Sequence, residues 1–233
     1  MATLYTREIK WNESMENMEC KLNRDNVAIV LVEPIRGGNI GSVARGMINM
    51  GFSDLRIVNP EVDPLNDEAR MMAHGSVELL EKAKIFKRLE EAVADCALIV
   101  GTSHKVKRDG HPTLSAREIG PKLAPYCEKN KVAILFGRES RGLSNEELYL
   151  CTWLVNIPSH SFYPSLNLAQ AVLVVCYELF MASTTAKISA MPELAQNVDV
   201  EKFLDYVSQL LDMAGFHHKN GVEAVYRAAL RRV

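Results

Sequence analysis

Three clusters in the 233-residue chain carry residue types and spacings from which a binding or catalytic site can be built. The first is Glu33-Pro34-Ile35-Arg36-Gly37-Gly38-Asn39-Ile40-Gly41-Ser42-Val43-Ala44-Arg45, a glycine-rich loop joining an apolar run to an amphipathic one. At such a junction, backbone amides and a helix N-terminus can approach a phosphate closely. The run is not a Walker loop, because no Gly-Lys-Ser/Thr follows, and it lacks the Gly-x-Gly-x-x-Gly spacing of a dinucleotide site. Its glycines are equally consistent with a tight turn. Arg45 falls on the polar face of the coming helix with Ser42 and Asn49, where a solvated arginine is usual. Gly41 and Gly46 each cost a helix roughly 1 kcal/mol relative to Ala, which is easier to understand if something packs closely there.

The second cluster, Phe136-Gly137-Arg138-Glu139-Ser140-Arg141-Gly142-Leu143-Ser144, follows an apolar run, the place where open α/β sheets hold ligands. Glu139 sits between two arginines, and a surface loop with local ion pairs would look the same. The third cluster is Asn156-Ile157-Pro158-Ser159-His160-Ser161-Phe162-Tyr163-Pro164-Ser165-Leu166-Asn167-Leu168-Ala169-Gln170. Here a loop with two prolines delivers Ser165 and Asn167 to the start of an apolar helix, for which Asn167 is a suitable N-cap. His160 reads as an ordinary loop histidine, since no Ser/His/Asp constellation surrounds it.

The elements that must position these clusters follow from short β-branched runs at 27–32, 54–58, 97–100, 132–136 and 153–157, separated by stretches of helical pattern. That alternation predicts an α/β fold with a mainly parallel sheet, buried on both faces and flanked by helices on each side. Ile40, Val43, Ala44, Met47 and Ile48 recur at helical spacing, with Asn39 expected as the cap and Gly51 as the stop. Ser144 with Glu147, and Asn167 with Gln170, read as capping-box starts. The helix over 168–181 is apolar nearly all round and must be buried against the sheet or another subunit.

The expected organisation is an N-terminal extension over 1–26, disordered or weakly helical, a main domain over 27–182, a linker over 183–198 and a two-helix extension over 199–233. The extension is too small to hold its own core and must dock on the main domain or a partner. Hydrophobic residues make up 48% and charged residues 24% of the chain, which excludes a disordered protein. A net charge of -2 excludes a generally basic surface, so any nucleic-acid contact must come from local clusters. The five cysteines lack Cys-x-x-Cys spacing, so neither a zinc site nor a disulfide framework is expected. No apolar run is long enough for a membrane span, and no secretory signal opens the chain, so a cytoplasmic location is expected.

Taken together and in this order, the three clusters resemble the motifs of the SPOUT superfamily of knotted methyltransferases, in its TrmH-like branch. Within that branch the chain is most similar to the TrmJ family of tRNA methyltransferases, through Val-Glu-Pro at 32–34, Gly-Thr-Ser at 101–103, Ser-Leu-Asn-Leu-Ala at 165–169, Gly-Phe at 215–216 and Leu-Arg-Arg at 230–232. The resemblance implies a C-terminal trefoil knot whose loops hold S-adenosyl-L-methionine through Thr102, Ser103, Gly137, Glu139, Ile157, Ser165 and Leu166. It implies a homodimer with the active site at the subunit interface, where Arg45 of one chain faces the methyl donor of the other, and no metal. The implied reaction is attack of a ribose 2′-hydroxyl on the sulfonium methyl, with Arg45 as proton acceptor or electrostatic stabiliser and Glu139, Ser165 and Asn167 positioning substrate or cofactor.

The implied substrate is tRNA, at pyrimidine 32 of the anticodon loop. Methylation of rRNA or of another tRNA position by the same fold, or a non-catalytic RNA-binding assembly role, are the alternatives. Arg36, Asn39, Lys105, Lys107, Arg108 and Arg138 are the expected RNA contacts, with Lys219, Arg227, Arg231 and Arg232 in the tail. If these cations meet phosphate, RNA affinity measured by filter binding falls on the order of tenfold or more between about 50 and 200 mM salt. Affinity that stays flat over that range contradicts an RNA partner.

Overall fold

The run Val-Ala-Ile-Val-Leu-Val becomes strand β1 (Val27–Val32), and all six residues are buried. In the computed structural model, which describes residues 22–104, 112–185 and 194–215 together with Arg227 and Leu230, β1 is an inner strand, third from one edge of a seven-stranded sheet. The chain continues through α1 (Gly37–Asn49), β2 (Asp54–Val58), α2 (Asp67–Ala73), α3 (Val77–Glu81), β3 (Lys84–Phe86), α4 (Leu89–Ala92) and β4 (Leu98–Thr102). It then forms β5 (Thr113–Ser115), α5 (Ala116–Cys127), β6 (Val132–Phe136), α6 (Asn145–Tyr149), β7 (Trp153–Asn156), α7 (Leu168–Thr185) and α8 (Asn197–Met213). The strand order is β3-β2-β1-β6-β4-β7-β5, with every pairing parallel.

Alternate residues of β1 feed two cores, as the pleat requires. Val27, Ile29 and Leu31 pack with residues of α1, α2, α5 and α7. Val30 and Val32 pack with residues of α4 and α6 and their flanking turns. The sheet is thus covered on both faces, which is why its inner strands read as unbroken apolar runs. Strands β3 and β5 escape the sequence pattern because each has only three residues, and in β3 Lys84 and Ile85 are exposed at the sheet edge.

Three local readings are revised. Helix α1 starts at Gly37, with Arg36 in the cap position and no side-chain cap bond, so Asn39 lies inside the first turn and its amide is free for another task. Gly51 does stop the helix, at φ +73. Helix α7 runs on to Thr185, past the expected start of the linker. Part of the expected N-terminal extension is built into the fold: Leu22 is buried, Arg24 Nη1 donates to the Met50 carbonyl (3.0 Å) and Asn26 Nδ2 to that of Cys127 (2.9 Å). Residues 1–21 lie outside the described residues.

Helix α8 is anchored to the main domain by its start. The amides of Asn197 and Val198 donate to the carbonyls of Cys96 (2.7 Å) and Ala94 (3.0 Å), and Leu204 is buried. Most of the second tail helix expected over 222–230 lies outside the described residues.

At the N-terminal edge of the sheet, Arg56 of β2 is 2% exposed and bridges Asp54 (2.7 Å) and Asp95 (2.5 Å), while its Nη1 also donates to the Ala92 carbonyl (2.6 Å). Burial alone would raise both carboxylates, but the Arg56 hydrogen bonds outweigh it and hold them below the ordinary aspartate range. Folded values below the unfolded ones mean stability that is present above about pH 4 and lost as pH falls through the folded values. Lys84 reaches Asp54 (3.2 Å) and Lys131 reaches Asp54 (3.6 Å) and Asp95 (3.3 Å), so losing Arg56 removes the nearest partner of each carboxylate without stranding it. Arg56→Ala therefore costs about 2 kcal/mol in urea unfolding at neutral pH, mostly from lost charged hydrogen bonds, a gap that narrows on acidification. A neutral-pH cost under about 0.5 kcal/mol, the range of an ordinary surface change, contradicts this.

Candidate active site

The parallel register places the C-terminal ends of β1, β6, β4 and β7 along one edge, with Leu31 beside Phe136, Gly101 beside Leu135 and Thr102 beside Val155. The loops leaving these strands converge, as expected where open α/β sheets bind ligands. A cavity lies between them. It is lined by Thr102 and Ser103 after β4, Gly137 and Glu139 after β6, and Ile157, Ser165 and Leu166 after β7. The structure thus brings together all the residues the sequence assigned to cofactor binding.

Backbone bonds shape this cavity. The Thr102 hydroxyl donates to the Leu135 carbonyl (2.9 Å), Ser103 N–H to that of Val155 (2.9 Å) and Asn156 Nδ2 to that of Ser103 (3.0 Å), so β4, β6 and β7 are tied at their exits. The loop after β6 doubles back on itself: Gly142 N–H donates to the Arg138 carbonyl (2.8 Å), with Gly142 at φ +69. A Cβ on Gly137 would stand 2.1 Å from the Gly142 carbonyl carbon, so no side chain fits there.

The three clusters are joined by a short polar relay. Glu139 Oε2 accepts from the Ile35 amide (3.2 Å) and its Oε1 from Asn39 Nδ2 (2.7 Å). Asn39 Oδ1 accepts from Asn167 Nδ2 (2.9 Å), and Asn167 Oδ1 accepts from the amides of Ala169 (2.9 Å) and Gln170 (3.4 Å) at the start of α7. Asn167 is therefore both an N-cap and a link to α1.

Glu139 pairs with neither neighbouring arginine; both turn to Glu33. Arg138, expected among the RNA contacts, is 9% exposed, and its Nε donates to Glu33 (2.6 Å) while Nη1 and Nη2 form a fork with Glu147 (2.9 Å each). Hydrogen bonds from Glu33 and Glu147 raise the Arg138 guanidinium above its ordinary value, and the bond from Arg138 lowers Glu33. A guanidinium committed to two carboxylates is structural and has little left for phosphate. Glu147 also completes the capping box of α6, its Oε2 accepting from Ser144 N–H (2.7 Å) and its own N–H donating to Ser144 Oγ (3.3 Å), so one carboxylate caps a helix and braces the loop. Sequence spacing revealed the cap and not the brace, because Glu33 lies 105 residues from Arg138.

Arg45 is exposed, lies outside the cavity lining of its own chain, and makes no hydrogen bond or ion pair among the described residues. Packing explains one of the glycines around it. A Cβ on Gly41 would stand 2.1 Å from the Ala69 carbonyl of α2, whereas one on Gly46 would meet Leu173 of α7 at an ordinary 3.5 Å. Arg36 is likewise exposed, while Lys105, Lys107 and Arg108, and in the tail Lys219, Arg231 and Arg232, lie outside the described residues. Sequence reading missed His104 and Ala171 in the cavity lining, since single residues beside a motif carry no spacing signal, and it gave Arg141, Leu143 and Leu168 no role of their own although they fall within its clusters. Among the described residues, no group of three His, Cys, Asp or Glu could hold a metal ion, and no helix is long and apolar enough to cross a membrane.

Comparison with known proteins gives a consistent result. Residues 26–177 match the model of the SpoU rRNA methylase family. The chain is 41% identical over 202 residues, 84% of its length and 82% of the relative's, to a tRNA (cytidine/uridine-2′-O-)-methyltransferase TrmJ of Klebsiella pneumoniae. Its fold is similar to the crystal structure of TrmJ from Z. mobilis, with a TM-score of 0.75, 32% identity and 88% of each chain covered. It is also similar to a solved structure bearing on the 2-OH methylation of C/U34 on tRNA, with a TM-score of 0.56, 25% identity, and 70% of this chain and 99% of that one covered.

The closed loop after β6 is directly testable. Gly137→Ala forces backbone apart and costs about 1–3 kcal/mol in urea unfolding, whereas Ser140→Ala, on the exposed crown of the same loop, changes stability by under about 0.5 kcal/mol. Equal effects would contradict the geometry.

Proposed function

The chain belongs to the SpoU rRNA methylase family, and within it we propose an S-adenosyl-L-methionine-dependent tRNA 2′-O-methyltransferase acting on the ribose of cytidine or uridine 32, in the cytoplasm. The observation that carries this reading is the Glu139–Asn39–Asn167 relay, which ties the first motif loop to the two motif loops that line the cavity, in a chain 41% identical to a tRNA (cytidine/uridine-2′-O-)-methyltransferase.

The cavity suits the cofactor. Leu143, Ile157, Leu166 and Leu168 offer apolar walls for a flat base, and the backbone around Thr102, Gly137 and Leu166 offers groups for its edges. Arg138 is neutralised by two carboxylates, so it offers little free charge to a phosphate in the cavity. Thr102, Ser103, Gly137, Glu139, Ile157, Ser165 and Leu166 are the residues that would hold it. The chemistry that bound S-adenosyl-L-methionine supplies is a sulfonium methyl open to in-line attack by a ribose 2′-hydroxyl.

The chain's own contribution is alignment and charge stabilisation. Glu139 and Asn167 fix the loops that set the approach, and Ser165 positions substrate or cofactor from the cavity lining. Leu168–Thr185 forms a helix whose outer face carries Leu173, Tyr177 and Met181, and Ile48 of α1 is exposed as well. A second copy of the chain covers this apolar rim, and the pairing brings Arg45 of one subunit to the cavity of the other. Arginine side chains stay protonated through the physiological range. Arg45 therefore stabilises the 2′-oxygen as its proton leaves for solvent, rather than taking that proton itself. The knotted threading of the chain from β6 onward belongs to the same reading.

Incubating unmodified tRNA and rRNA with methyl-labelled cofactor and mapping the marks tests this. Label at pyrimidine 32 of tRNA is the expected result. The family's rRNA description and the C/U34 neighbour name the competing outcomes, rRNA label or label at position 34, and either one moves the substrate; cofactor binding without methylation of any RNA overturns the enzyme. Arg45→Ala lowers kcat on the order of 100-fold with little change in cofactor affinity. Near-full turnover in Arg45→Lys removes Arg45 from the mechanism.

A further inference from the structure

In the loop between β7 and α7, two adjacent aromatic rings stand clear of the fold: Phe162 is 89% and Tyr163 78% exposed in the single chain. Their backbone is held from within the loop. Ser159 Oγ donates to the Pro164 carbonyl (2.9 Å), Tyr163 N–H to the His160 carbonyl (3.0 Å) and Phe162 N–H to His160 Nδ1 (3.3 Å). Pro158 and Pro164 bracket the turn and limit its backbone further. A closed turn of this kind presents the rings rather than letting them fold back onto the core.

The next residues, Pro164, Ser165 and Leu166, line the cavity, so the turn that carries the rings runs directly into its wall. Arg141, whose side chain is 71% exposed, lines the same cavity and reaches Glu33 only at 3.6 Å. Around the rings, Ser159, His160, Ser161 and Ser165 are exposed, as are Pro158, Pro164 and Leu166. Two rings with these few apolar neighbours are by themselves too small a patch for a stable protein interface. Exposed rings beside a cavity that an arginine lines are what unstacked RNA bases require, because every base has a face that can stack and a backbone that needs a cation.

We propose that Phe162 and Tyr163 form a stacking platform for the unpaired bases of the RNA substrate, holding the target ribose over the cavity. They are positioning residues, and the assignment rests on the RNA methyltransferase reading above. The test measures methyl transfer to unmodified tRNA by Phe162→Ala, Tyr163→Ala and the double variant, with cofactor affinity by calorimetry and subunit mass by ultracentrifugation. The KM for tRNA rises on the order of tenfold per ring, while kcat, cofactor affinity and mass hold. Phe162→Trp and Tyr163→Phe keep the KM near that of the parent chain, and Phe162→Leu, which keeps bulk without a π face, does not.

An unchanged KM in the double variant overturns the platform, as does a leucine that serves as well as the ring. Loss confined to kcat or cofactor affinity assigns the rings to framing the cavity, and a drop in mass assigns them to a second copy; either outcome also overturns the platform. If the parent chain neither binds nor methylates tRNA, the functional reading falls and the platform with it. Activity in the parent with indifferent variants removes the platform alone.

Discussion

The bond on which the site depends is that between Glu139 and Asn39, 2.7 Å long and linking residues 100 positions apart. Glu139 belongs to the loop after β6 and Asn39 to the first turn of α1, and Asn39 passes the constraint on to Asn167 at the start of α7. Each member is satisfied on both sides. The carboxylate takes a backbone amide as well as the Asn39 amide, and Asn167 takes two helix N–H groups as well as donating. Such a chain of bonds stiffens what it joins, and losing one partner leaves the others without theirs. The loop after β1 is thereby tied to the two loops, after β6 and β7, that line the cavity.

Around that relay the fold pairs off part of the charge that lines the cavity. Arg138 is drawn down by Glu33 and Glu147, so the strongest local cation braces the loop after β6 instead of meeting a ligand. Glu33 adopts φ 47, outside the range a glutamate prefers, at the end of β1 where its carboxylate meets Arg138. Strained backbone of this kind persists where surrounding bonds over-determine it. Arg45 is treated in the opposite way, exposed on α1 with no partner of its own among the described residues. The surroundings thus commit Arg138 to the loop and leave Arg45 exposed.

Much of this was legible in the residues. The five longer strands, the capping box at Ser144 and Glu147, the stop at Gly51 and the apolar helix after Asn167 follow from periodicity and cap chemistry, which act over a few residues. What stayed hidden is long-range. Nothing local distinguishes Arg138, paired 105 positions away, from the solvated Arg141 three residues on. Asn39 looked like a helix cap because Asn before an apolar stripe usually is one, but the helix begins at Gly37 and its amide serves Glu139 and Asn167 instead. The two three-residue strands are too short to show a period.

The central claim is that the three loops act as one site because the relay couples them. Asn39 does not line the cavity, so its influence on a ligand there must pass through Glu139 or Asn167. The most direct measurement is a double-mutant cycle on Asn39→Ala and Glu139→Gln, read as S-adenosyl-L-methionine affinity by calorimetry. Coupling predicts that Asn39→Ala weakens binding and that the double variant binds no worse than the weaker single one, an interaction energy of about 0.5–3 kcal/mol. An Asn39→Ala variant with unchanged affinity, or strictly additive losses, contradicts it.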